Sequence, residues 1–140
     1  MKMNEDLAVL LLRAVVGGVL IYHGQEKLFG GIAGFAGYLK HLGVPAPELS
    51  AWLSGLTEFC GGIVLVLGTG LRIAAIPILI NMLVAVWSSR GNGFSVLKGG
   101  MEYPTVIGVV VLALLLAGPG GFTIAKLIKS MKSTGESTKS

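Results

Sequence analysis

Six side chains interrupt or border long apolar runs, and each could do chemistry there: Arg13, His23, Lys27, Glu58, Asn81 and Glu102. A charge at the centre of a helix in hydrocarbon costs about 2.5–3.5 kcal/mol on insertion scales. Such groups turn inward and pair, so their positions point to a shared interior. An unpaired buried carboxylate keeps its proton. Glu58 is therefore expected to be ion-paired or to act as a protonatable group. Glu58 and His23 are the residue types that exchange protons with a ligand, which makes them the candidate catalytic pair. Arg13, Lys27, Asn81, Glu102 and Tyr103 are the candidate ligand-binding residues.

These side chains must be positioned by four apolar segments, at about Leu7–Tyr22 (reaching toward Leu28), Leu49–Leu67, Leu71–Trp87 and Tyr103–Ala117. A spanning helix needs about 20 mostly apolar residues, with a range of about 17–25. The runs are continuously apolar rather than alternating, and an open sheet would leave unpaired edges in lipid. The expected fold class is all-α, an integral membrane four-helix bundle. Composition agrees. Hydrophobic residues make up 53% of the 140 and charged residues 13%, against roughly 25% charged in a soluble domain. Mean hydropathy is +0.80. A soluble chain of this size could not hide that much apolar surface.

Helical geometry sorts the polar groups by face and depth. At about 100° per residue, Arg13, Gly17, Leu20, His23, Gly24 and Lys27 form one broad stripe on the first helix, expected to look inward. Its glycines admit a neighbouring helix at close range. Ser54, Glu58 and Gly62 share a face of the second helix, and Pro77, Asn81 and Ser88 a face of the third. Pro77 removes the donor to the Ile73 carbonyl, so a kink is expected there. With about 1.5 Å of rise per residue, Glu58 and Asn81 fall level near the midplane. His23, Lys27 and Glu102 fall near one surface. Arg13 lies toward the other and is expected to approach Glu58 from below. Tyr22, Tyr103, Trp52 and Trp87 also suit anchoring at the membrane interface.

The connections carry their own signals. Gly68-Thr69-Gly70 is too short for anything but an antiparallel hairpin. In the first loop, Ile32, Phe35, Leu39 and Leu42 recur at helical spacing, and Gly43 and Pro45 end the run. This predicts an interfacial or re-entrant helix covering one mouth of the bundle, with Lys40 and His41 off its apolar stripe. Residues 1–121 form the membrane domain. Residues 122–140 form a basic amphipathic segment followed by a tail expected to be disordered from about Ser130. Lys2, Arg72, Lys126, Lys129, Lys132 and Lys139 share one side against Lys27, Lys40, Arg90 and Lys98. The excess predicts cytoplasmic termini. Glu5 and Asp6 precede the first apolar run and no small-residue cleavage site follows it, so that run is expected to stay as a helix.

Other chemistry is disfavoured. The lone Cys60 allows neither an intrachain disulfide nor a CxxC pair, and is expected to be a small packed residue. The two histidines lie in different settings, so no metal-ligand cluster is expected. Gly30-Gly31 and Gly99-Gly100 lack the strand-then-helix context of a phosphate loop. The net charge of +4 is scattered and has no aromatic stacking platform, so no nucleic-acid partner is expected. The bilayer is the expected partner.

Several stretches together carry a family resemblance: LLRAVVGGVLIYHGQEKLFG (11–30), GFAGYLKHLGVP (34–45), LSGLTEFCGGIVLVLG (53–68), LRIAAIPILINMLVA (71–85), NGF (92–94), GGMEYP (99–104) and GPG (118–120). In this the chain resembles the DoxX family of small four-helix membrane proteins, over about residues 7–121. The HG-x-x-KL and GG-x-EYP pieces, in that order, are the more specific. The resemblance implies a prokaryotic cytoplasmic (inner) membrane location and a link to redox biology. Relatives include membrane subunits of thiosulfate:quinone oxidoreductase and partners in oxidative-stress or quinone and catechol detoxification systems. The family's recurring polar positions map onto Arg13, His23, Gly24, Lys27, Glu58, Asn81, Glu102 and Pro104. The first expectation is therefore a membrane subunit of a redox system that binds a quinone or similar small aromatic. It would need a redox partner protein, because the chain carries no electron carrier of its own. A small transporter, which would call for a homo-oligomer, and a non-catalytic scaffold are the alternatives.

Overall fold

A computed structural model describes residues 2–137, with side-chain placement through residue 133. Six helices follow one another: α1 Met3–Gly30, α2 Ile32–His41, α3 Pro47–Leu67, α4 Leu71–Ser89, α5 Glu102–Ala117 and α6 Ile124–Ser137. Two short 3-10 turns, Arg90–Asn92 and Val96–Lys98, lie between α4 and α5. No strand occurs among the described residues. The all-helical expectation holds.

Among the described residues, three helices are long and apolar enough to cross a membrane: Met3–Gly30, Pro47–Leu67 and Leu71–Asn92, the last including a 3-10 turn. The fourth apolar helix, α5, has 16 residues and rises only about 24 Å, less than a hydrocarbon core of roughly 30 Å. The outward surfaces are apolar throughout the bundle, with Ile73, Leu83 and Leu116 all more than two-thirds exposed. Water would penalise that belt, whereas lipid solvates it.

The main seam joins α1 to α3, and it closes because both helices present glycine. A Cβ on Gly17 would stand 2.7 Å from the Gly62 carbonyl oxygen, and one on Gly62 2.6 Å from that of Gly17. A Cβ on Gly24 would stand 2.8 Å from the Phe59 Cα and 2.9 Å from the Gly55 oxygen. Backbone contact at this range replaces the hydrophobic drive that lipid removes. The predicted inward stripe of α1 is the one observed: Arg13, Gly17, Leu20 and Gly24 are buried. The core between α1, α3, α4 and α5 is filled by Leu20, Leu65, Ile78, Met82, Val111 and their neighbours. Pro77 sits inside α4 without ending it.

The first-loop helix forms as α2. Ile32, Phe35, Leu39 and Leu42 turn toward the bundle and pack with Ala36, Val44 and Ala51. Lys40 and His41 are exposed.

Two expectations are corrected. Cys60 is exposed rather than packed. Glu58 and Gly62, two residues to either side, already face the interior, and about 200° of helical rotation turns Cys60 away from them. Helix α6 continues through Ser137, where disorder was expected from about Ser130. An amphipathic start at Ile124–Met131 has nucleated the helix, and extending a formed helix costs far less than starting one. The part of the predicted tail after residue 137 lies outside the described residues.

Candidate functional site

The interior between α1, α3 and α4 holds one ion pair, the only one found among the described residues. Helix α3 brings the Glu58 carboxylate inside, with its side chain 2% exposed. The Lys27 ammonium, from the same inward stripe of α1, donates to both carboxylate oxygens at 2.7 Å and to Ser54 Oγ at 3.2 Å. Asn81 Nδ2, from α4, donates to Glu58 Oε1 at 3.0 Å. Three helices thus meet on one carboxylate, and a buried charge that is paired and hydrogen-bonded is the arrangement low-dielectric surroundings tolerate. Phe35 of α2 lies against the other side of Lys27, with the ammonium 4.7 Å from the ring centroid. The desolvated cation gains from the ring's negative face.

This cluster forms one wall of a chamber of about 390 Å³. Phe35, Tyr38 and Leu39 of α2, with Leu42 just after it, cover the chamber, and Met82, Val84 and Ala85 of α4 line its side. His23 and Tyr103 are also on its lining. The His23 ring packs on Tyr103 at 4.7 Å between centroids, and the Tyr22 ring stands nearly perpendicular to it with centroids 5.6 Å apart. The Tyr103 hydroxyl is buried and has no hydrogen-bond partner among the described residues. Leaving such a group unsatisfied costs about 1–3 kcal/mol. A ligand oxygen or a water would remove that cost.

Five of the seven predicted site residues therefore meet at one chamber: His23, Lys27, Glu58, Asn81 and Tyr103. Two do not. Arg13 is buried at the other end of the bundle and never reaches Glu58. Its Nε donates to the Leu65 carbonyl at 2.9 Å and its Nη2 to that of Val66 at 3.0 Å. Its Nη1 donates to Phe122 at 2.9 Å and also to Pro119. It ties the end of α3 to the chain leaving α5. Gly68, at φ +72°, makes room for it, since a Cβ there would overlap the guanidinium. Helix depth explains the correction: Leu65 lies seven residues below Glu58 on α3, roughly 10 Å away, so Arg13 meets carbonyls first. Glu102 accepts the Val96 N–H at 2.9 Å and braces the 3-10 turn instead of lining the chamber.

Phe35, Tyr38 and Ser54 belong to the site without having been chosen for it. Ser54 shares the Glu58 face, and Phe35 lies on the apolar stripe of α2. That stripe was the available signal, because a helix covering a polar mouth must present something to it. Among the described residues, no three His, Cys, Asp or Glu side chains converge as metal ligands would.

Residues 8–91 match the family model described as DoxX. These residues carry most of α1, all of α2 to α4 and the whole Lys27–Glu58–Asn81 cluster. The uncharacterized membrane protein Rv3486 of Mycobacterium tuberculosis is 29% identical over 128 residues, covering 84% of this chain and 78% of that protein. No solved structure matches the chain.

Proposed function

Because the chain belongs to the DoxX family, we propose that it is a membrane subunit of a redox system, holding a small aromatic ligand of the quinone class in the chamber under α2. The observation that carries this reading is the buried Glu58 carboxylate, held by Lys27 and Asn81 on the wall of a mostly apolar cavity. Cavities of about 300–1,000 Å³ with apolar walls and a few convergent polar groups are the usual form of small-molecule sites.

A quinone supplies redox chemistry when bound, taking up protons together with electrons. The residues of this chain supply the rest. Lys27 and Asn81 orient Glu58, and Glu58 and His23 exchange protons with the ligand's oxygens. Tyr103 offers its unpartnered hydroxyl to a ligand oxygen. Phe35, Tyr38 and Leu39 keep water out. Electrons come from a partner protein. We place the chain in the cytoplasmic membrane with its termini on the cytoplasmic side, following its lysine and arginine asymmetry.

The test is titration of the purified full-length protein with short-chain ubiquinone and menaquinone analogues. Saturable binding, weakened about ten-fold by Glu58→Gln, is the expected result. The absence of saturable binding, or a Glu58→Gln protein that binds like the unaltered one, would remove the proposal.

A further inference from the structure

Helix α6 sits apart from the chamber and has its own chemistry. Ile124, Leu127, Ile128 and Met131 fall within one sector of about 100°, with Lys126 and Lys129 on the opposite side and Lys132 on the flank beside Ile128. The apolar sector is not packed away: Leu127 is 57% exposed and Met131 68%. For an isolated helix in water this is a poor surface. For a helix at a bilayer interface it is the expected one.

The anchoring of α6 places it at that interface. The Gly121 N–H donates to the Asp6 carboxylate, which ties the chain to the start of α1. Arg13 holds the Pro119 and Phe122 carbonyls beside the end of α3. Lys126 Nζ donates to the Gly120 carbonyl at 3.0 Å, and Thr123 Oγ1 accepts the Lys126 N–H at 3.3 Å, closing the first turn. The ends of α3 and α5 and the start of α1 therefore fix where α6 begins, which is the level at which the apolar helices stop. A groove of about 410 Å³ opens there, lined by Leu10, Val66, Leu67, Phe122 and Leu127. Its mostly apolar lining suits an acyl chain.

We propose that α6 and this groove form a docking site for acidic phospholipid. The apolar sector enters the acyl-chain boundary of the leaflet, one lipid chain occupies the groove, and Lys129 and Lys132 lie against headgroup phosphates. Charge complementarity selects an acidic leaflet over a neutral one. A lysine near an acidic bilayer surface contributes about five-fold in partition.

The experiment uses the full-length protein with Cys60→Ser, reconstituted in nanodiscs of phosphatidylcholine alone or with phosphatidylglycerol. Single cysteines from Ile128→Cys, Met131→Cys and, as control, Ser130→Cys carry a spin label. Accessibility to lipid-soluble oxygen and to a water-soluble nickel chelate is then read at each. In acidic discs, labels at 128 and 131 should favour oxygen while the label at 130 favours nickel. Lys129→Gln with Lys132→Gln should lower the inserted-to-free ratio by about five-fold per lysine. Equal insertion in neutral and acidic discs would overturn the selectivity for acidic lipid. Equal nickel access at 128 and 130 would overturn docking altogether. Shielding of 128 and 131 from both quenchers would show that protein covers this face, which also overturns the proposal.

Discussion

Lys27 and Glu58 meet through both carboxylate oxygens at 2.7 Å, across the seam between the first helix and the third. Breaking such a pair from one side leaves the other charge buried and uncompensated, which costs about 3–5 kcal/mol. Lys27→Met should therefore destabilise the detergent-solubilised protein by about 3 kcal/mol. Adding Glu58→Gln should recover most of that loss, since the amide no longer needs a cation. Thermal unfolding of the two single variants and the double variant reads this directly. Additive losses would show that the pair is not coupled.

The glycine seam gives a sharper structural contrast. Gly24→Ala and Gly62→Ala each drive a methyl group into the facing backbone, where flexible side chains cannot yield. Overpacking of this kind costs typically about 1–3 kcal/mol. Gly18 lies on the same helix with nothing within 4 Å of a built Cβ, so Gly18→Ala should leave stability unchanged or slightly improved through helix propensity. Comparing the three midpoints of unfolding checks the seam without touching the chamber.

Arg13 fills a structural role that lysine cannot take over. Its planar fork serves four carbonyls, whereas an ammonium offers three donors from one point. Arg13→Lys should cost about 2 kcal/mol and speed tryptic cleavage at Lys126, because the chain beyond α5 loses its tie. Quinone-analogue affinity should stay within about two-fold of the unaltered protein, since Arg13 lies away from the chamber. A ten-fold loss of affinity in folded Arg13→Lys would contradict that placement.

Tyr103→Phe should separate stability from binding. Removing a buried hydroxyl that has no protein partner should leave stability level or raise it by about 1 kcal/mol. The same change should weaken a ligand that accepts from the hydroxyl by roughly ten-fold, the worth of one hydrogen bond. Unfolding midpoints and ligand titration on one preparation decide it. A variant that binds as tightly as the parent would assign the hydroxyl to water instead.

The sequence alone makes much of this legible, for particular reasons. The apolar runs mark α1, α3, α4 and α5, because lipid-facing helices advertise themselves in composition. The α1 stripe identifies Lys27 and His23 as inward, and helix rise alone levels Glu58 with Asn81, which then bond at 3.0 Å. Arg13 was harder. Its acceptors are main-chain carbonyls, which every residue owns, so no side-chain pattern announces them. Glu102 is hidden for a similar reason, since its partner is the Val96 N–H in a 3-10 turn that has no periodic signature. Cys60 shows the converse: a residue type that is usually buried follows the rotation of its helix when the interior face is already taken.

The reach of Arg13 has a consequence for how the molecule is made. Two of its four acceptors stand 106 and 109 positions further along the chain. A nascent polypeptide delivers α1 to the bilayer long before residues 119–122 have been synthesised. During that interval the guanidinium has only its Leu65 and Val66 partners on α3. The Arg13 latch therefore closes late in synthesis, and a chain interrupted before Pro119 lacks half of the carbonyls that hold its first span.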